Sequence, residues 1–286
     1  MIYHVVDRKL KPMIRIRFIR YKISFIIIFF GISTSVFGQI SMGARGLGLG
    51  HATTGLVDYS WSLFSNPALL KSGEPSLGFY GVRNYCFADI TDMAAIGSLP
   101  TSIGALALGF HRYGDTVFNE TRVRLGYKNE WEQLHFGLII NYNHISFGGV
   151  YGSGGALGVD VGIAAKLVEK FWIGAKATNL NKPSYKFSGT NEDLYRDLSI
   201  GFSYIIEDRA LFMMDIVKDV RFPVSFRGGL ELTIIQELKG RIGITTEPIT
   251  YSFGLGYGKD FWDVNFAIQQ HQLLGISPGF DLLFKF

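Results

Sequence analysis

The sequence predicts an all-β protein: an antiparallel transmembrane β-barrel of about 14 strands, with an N-terminal segment folded into its lumen as a hatch. Three observations predict the barrel. From Pro75 onward, apolar side chains alternate with small or polar ones at a period of two. Composition is rich in 35 Gly, 24 Phe and 14 Tyr, and the mean hydropathy is +0.20, high for a soluble chain. The last stretch, 278–286, reads P-G-F-D-L-L-F-K-F and places Phe280, Leu282, Phe284 and Phe286 on one strand face, with Asp281 and Lys285 on the other. A strand with aromatics on one side and charges on the other suits a wall with lipid outside and a polar lumen within. An aromatic final residue is also the expected terminal signal read by barrel assembly machinery.

Residues 1–38 read as a signal peptide. Arg15, Arg17, Arg20 and Lys22 form a positive region ahead of the apolar run 23–32, and V-F-G ends at Gly38 with small residues before the expected cut at Gln39. The run is too short for a spanning helix. Met13 stands just ahead of this pattern as an alternative start. Seven of the 28 basic residues and one of the 24 acidic residues lie in 1–38, so the remainder is close to neutral and carries no charge argument for nucleic acid. Cys86 is the sole cysteine, which excludes an intramolecular disulfide.

Residues 39–73 do not read as wall. The Gly-rich stretch 41–56 is followed by Asn66-Pro67-Ala68, where an N-capping side chain precedes proline at the first helical position. Gly73 fits a stop. This predicts a strand-then-helix unit ahead of the barrel, which spans 74–286. Gly46, Gly48 and Gly50 do not make a dinucleotide fingerprint, because His51 and Thr53 stand where its third glycine is needed. Tight backbone packing explains them.

Strands are expected near 75–85, 91–99, 102–113, 117–129, 133–147, 156–167, 171–180, 194–206, 210–218, 223–234, 239–246, 250–257, 261–269 and 279–286. Typical is Tyr251, Phe253, Leu255 and Tyr257 against Ser252, Gly254 and Gly256. A soluble sandwich would also alternate, but its outward face would be charged and its core bulky. Here the minor face is small and polar and the major face aromatic. Small inward residues leave room for a plug, and Gly254→Ser, on the face opposite Leu255, is expected to be near neutral. Short connections (100–101, 130–132, 168–170, 207–209, 235–238, 258–260) alternate with longer ones, the asymmetry of periplasmic turns and outer loops. Prolines after residue 38 are expected outside strand interiors. Tyr80, Tyr113, Tyr127, Trp131, Trp172, Tyr204, Tyr251, Tyr257 and Trp262 are read as interfacial girdles.

Catalysis finds no support. His51, His111, His135, His144 and His271 lack metal-ligand spacing, so no metal or cofactor is expected. Ser225 and His111 fall on non-adjacent strands, no G-x-S-x-G is present, and Gly258-Lys259-Asp260 is not a phosphate loop. The lumen-facing charges Arg122, Arg124, Lys128, Arg227, Glu231 and Arg241, with Asp160, Lys166, Lys176, Asp215 and Asp263, are expected to pair with one another or with hatch groups such as Asp58 and Arg45, because an unpaired charge in a confined lumen is costly.

G-A-R-G-L-G-L-G-H-A (43–52), holding Gly43, Arg45, Gly48 and Gly50, and W-S-L-F-S-N-P-A-L-L (61–70), holding Asn66, Pro67 and Ala68, resemble the opening of the FadL-like, PorV/PorQ-type outer-membrane barrels. The end, 271–286, is similar to their closing strand. The resemblance implies a luminal hatch and a non-enzymatic role in the bacterial outer membrane. It implies one of two tasks: type IX secretion or surface assembly, with a secretion translocon or secreted cargo as partner, or, as the alternative, uptake of a hydrophobic ligand. Outer-membrane lipid is the surrounding partner in both. The outer loops here are short compared with those that build the ligand or cargo site in that family.

Overall fold

In the computed structural model, residues 41–87, 90–148, 152–187 and 190–286 are described; the signal peptide expected at 1–38 lies outside them. Among the described residues sixteen strands follow one another: β1 (Ser76–Val82), β2 (Thr91–Thr101), β3 (Gly104–Gly114), β4 (Phe118–Trp131), β5 (Leu134–Phe147), β6 (Ser153–Val168), β7 (Phe171–Ala177), β8 (Ser184–Phe187), β9 (Thr190–Asp193), β10 (Asp197–Ile206), β11 (Ala210–Asp219), β12 (Val224–Ile235), β13 (Leu238–Thr246), β14 (Ile249–Lys259), β15 (Trp262–His271) and β16 (Gly275–Lys285). All but β8 and β9 form one closed antiparallel barrel in sequence order, sealed where β1 pairs with β16 from Ser76↔Lys285 to Val82↔Gly279. Closure removes every sheet edge, which a wall in hydrocarbon requires. β8 and β9 pair only with each other, as a hairpin inside the connection 178–196, of which the sequence reads 181–193 as loop.

Facing follows the pleat. Along β14, Tyr251, Phe253, Leu255 and Tyr257 are exposed while Thr250, Ser252, Gly254 and Gly256 are buried. Phe280 and Phe286 are exposed at the closing strand, and Leu282 and Phe284 share their outward face, with Asp281 and Leu283 buried. The exterior is thus the apolar surface, and the lumen is packed.

Three sequence expectations change. Pro278 lies inside β16, which begins at Gly275, and Pro100 lies inside β2. Both sit where β1 has run out, since β1 pairs no further than Ser98 on β2 and Gly279 on β16. The Pro278 carbonyl accepts from the Arg83 N–H at 2.9 Å, so the missing proline N–H faces the β1 side and costs no bond to β15. Tyr80 and Tyr113 are buried among inward residues and do not belong to a girdle, and Trp172 packs against the lumen-facing His135 with tilted rings 5.0 Å apart. Their parity decides this: Tyr80 follows the outward Phe79 by one residue. Finally, 41–73 contains no strand. It forms one turn of α-helix, α1 (Ala44–Gly48), and 3₁₀ turns at Ser60–Phe64 and Pro67–Leu69. The Asn66 side chain caps the last of these, accepting from Ala68 N at 3.1 Å, but the turn stops at Leu69, well short of Gly73.

A buried hydrophobic cluster forms between this segment and the wall. Met42, Leu47, Leu49, Leu56, Tyr59, Leu63, Phe64 and Leu70 are buried against the inward residues Ile96, Ile139, Leu211, Met213 and Ala267 of the wall. Inward glycines let the two backbones touch. A Cβ on Gly137 would overlap the Pro67 carbonyl group, and one on Gly243 would overlap Gly50 N. Gly254 is no spare volume either: a Cβ there would stand 3.2 Å from Gly48 Cα. Gly254→Ser therefore requires α1 to give by a few tenths of an ångström.

Candidate functional site

The lumen and the segment that fills it form the site. Polar anchoring runs around the wall. On β16, Asp281 Oδ2 accepts from Ala44 N at 2.6 Å, and its Oδ1 accepts from Asn265 Nδ2 on β15 at 2.8 Å. Asn265 Oδ1 accepts from Arg241 Nη1 on β13 at 2.7 Å, and Arg241 Nε donates to Glu231 Oε2 on β12 at 2.6 Å. Arg45 of α1 closes this chain with a two-pronged contact, Nε to Glu231 Oε2 at 2.9 Å and Nη2 to Oε1 at 3.0 Å. Glu231 thus holds two guanidiniums, one from the wall and one from the filling segment. Paired carboxylate–guanidinium forks of this kind combine charge with fixed orientation.

A second anchor is Asp215 on β11, whose Oδ2 accepts from Thr53 N at 2.8 Å and Thr54 N at 2.9 Å. Ser203 Oγ donates to Gly55 O and Thr245 Oγ1 to Gly50 O, both at 2.7 Å. Asn66 Nδ2 donates to Thr54 O at 2.8 Å and to Ile163 O on β6 at 3.2 Å. The turn-rich segment cannot satisfy its own backbone, so the wall supplies its partners. His51 lies in the same environment, with Arg227 Nη1 donating to its carbonyl at 3.4 Å. Burial, together with the Arg227 charge, pushes the His51 imidazole down to about 3, so it stays neutral at ordinary pH.

Arg122, Arg124, Arg227, Glu231 and Arg241 all face the lumen, but they do not form one cluster. Arg241 and Glu231 belong to the Arg45 network. Arg122 pairs with Glu120 on its own strand at 2.7 Å. Arg124 spans two parts of the molecule: Nη1 donates to Leu63 O and Nη2 to the Tyr195 hydroxyl, each at 3.2 Å, and Asp160 lies 3.8 Å away. Asp58 meets Arg45 through its backbone carbonyl, not its carboxylate. Gly43 and Gly46 pack under Trp61 and Tyr59, whose hydroxyl donates to Met42 O. Asp281, Asn265 and Glu120 were absent from the charge set expected to matter. Their signal in the sequence was a polar residue at lumen parity, shared by many positions.

Two regions flank the filled zone. At the rim carrying the two- and three-residue turns, a cavity of about 590 Å³ is lined by Arg45, Tyr59, Glu231, Lys239, Asp263 and Lys285 among others, and its walls are charged. At the opposite rim an apolar cluster lies beside the paired inward charges Glu120 and Arg122. Phe118 and Phe147 pack with tilted rings 5.2 Å apart, Tyr113 meets Phe118 at 6.4 Å, and Ile145, Ala156, Tyr185 and Leu194 complete a buried cluster there.

No protein-family model matches the sequence, and no curated protein matches it. Solved structures do match in fold. The chain superposes on the CymD monoaromatic hydrocarbon channel with TM-score 0.64 at 11% identity, covering 87% of this chain and 99% of that one. It superposes on the Pseudomonas putida toluene transporter TodX with TM-score 0.64 at 13% identity, again over 87% and 99%. A Pseudomonas aeruginosa FadL homologue gives 0.57 at 10% identity over the same shares. At such identities the likeness is one of fold. The closed wall, its exposed apolar exterior and these neighbours make this a bacterial outer-membrane protein with the architecture of the FadL-type barrels.

Proposed function

We propose that the chain is a non-enzymatic, hatch-closed outer-membrane channel for the uptake of small hydrophobic compounds. The observation that carries this reading is the arrangement of the lumen: an aromatic cluster of Tyr113, Phe118 and Phe147 at the long-loop rim, above a segment that fills the barrel. An apolar mouth captures apolar solutes from water, and a filled lumen denies the passage to ions. The names of the matching structures, a toluene transporter and a monoaromatic hydrocarbon channel, support the same solute class. The secretion-associated role draws support from the sequence resemblance alone.

In planar bilayers the intact protein should show little steady conductance, and deletion of residues 39–71 should give large, stable steps. Cells lacking the protein should take up aromatic hydrocarbons more slowly. Large steps from the intact protein would indicate an open pore. Unchanged uptake together with loss of surface-anchored proteins would move the reading to secretion.

A further inference from the structure

The aromatic cluster at the long-loop rim is already occupied by the protein itself. The Tyr185 ring, on the hairpin strand β8, is buried with Ile145, Ala156 and Leu194, and Phe118 and Phe147 pack against them. Its hydroxyl donates to Glu120 Oε1 at 2.9 Å. Glu120 is fixed in turn by Arg122, with Nε to Oε1 at 2.8 Å and Nη2 to Oε2 at 2.7 Å. Arg122 is held by the Tyr195 ring, whose centroid lies 5.6 Å from its guanidinium carbon. The result is an apolar slot ending in one oriented carboxylate acceptor.

We propose that this slot is a binding site for small phenolic compounds, and that Tyr185 is its built-in competitor. A tyrosine side chain is a 4-alkylphenol, so a phenolic solute reproduces both its ring contacts and its hydroxyl bond. A plain aromatic hydrocarbon fills the ring volume but offers Glu120 no donor. Sites that hydrogen-bond a hydroxyl reject the analogue lacking it, because a buried acceptor is left unanswered. A resident competitor lowers apparent affinity by the fraction of time the slot is free. The inference deepens the transport reading and rests on it for its purpose, though binding itself needs no transport.

The test is isothermal titration of the full-length protein in detergent with 4-methylphenol and with toluene. Tyr185→Ala should bind 4-methylphenol on the order of tenfold more tightly than the unaltered protein, and on the order of tenfold more tightly than it binds toluene. Tyr185→Phe, which keeps the hairpin's shape, should gain affinity in the same direction by a smaller factor. Adding Glu120→Leu with Arg122→Met to Tyr185→Ala should erase the preference for the phenol while toluene binding persists. Equal affinities of Tyr185→Ala for the two ligands, or no gain in either Tyr185 variant, would overturn the proposal. Phenol binding as expected in a protein whose loss leaves aromatic uptake unchanged would retire the transport reading and leave the site standing.

Discussion

Glu231 is the position at which the closed lumen can be tested most sharply. Its carboxylate lies 2.9 Å from Arg45, 2.6 Å from Arg241 and 3.8 Å from Lys239, and its side chain is 5% exposed. Glu231→Gln removes the one negative charge that two guanidiniums share. Breaking a buried pair from one side costs about 3–5 kcal/mol, because the partners stay buried without a counter-charge. Docking of the 41–70 segment brings Arg45 into that unbalanced site, so the cost falls on the docked state. At about 1.4 kcal/mol per decade, the undocked population should rise by about a hundredfold to a few thousandfold. Arg45→Met is the control. It loses charged hydrogen bonds worth about 1.5–3 kcal/mol, yet it leaves Glu231 paired with Arg241, so no buried charge is orphaned. The assay is open probability in planar bilayers, with the 39–71 deletion as the fully open reference. Glu231→Gln should open on the order of tenfold more often than Arg45→Met. Equal effects, or silence in both variants while the deletion conducts, would refute the idea that Glu231 holds the segment in place.

Three further predictions follow from the same structure. Leu255, 55% exposed on the lipid face of β14, should tolerate arginine poorly: Leu255→Arg should cost about 2–4 kcal/mol in unfolding from lipid vesicles if it lies near the midplane. Gly137→Val should drive the Asn66–Pro67 turn off the wall, since a Cβ there overlaps Pro67; proteolysis of the 41–70 segment in the folded barrel should accelerate, with barrel melting less affected. His51 is held neutral with its value at about 3, against about 6.5 for a solvated imidazole. The docked segment therefore loses nothing above pH 6.5 and is increasingly disfavoured as pH falls from there toward 3, by about 2 kcal/mol at pH 5. Open probability should rise on acidification to pH 5, and His51→Gln should remove most of that rise; an unchanged pH response in the variant would exclude His51 as its source.

The wall was legible in the sequence because facing is a local property. A pleated strand sends neighbouring side chains to opposite sides whatever it pairs with, so Tyr251, Phe253, Leu255 and Tyr257 declare a lipid face on their own. The number of barrel strands, their order and the outward set Phe280, Leu282, Phe284 and Phe286 follow from that one period. What closes the lumen is not local. Asp281 meets Ala44 across 237 residues, and Glu231 meets Arg45 across 186, so only the register of a closed barrel brings them together. The 41–70 segment has no period to read, since its backbone is satisfied by Asp215, Ser203 and Thr245 of the wall and not by its own ladder. Tertiary structure likewise decided that Pro278 could enter a strand, because its missing donor faces a neighbour that has already ended. It decided too that Tyr185, a loop residue by sequence, would fill an aromatic slot against Glu120. Alternation determined the barrel; closure determined what it holds.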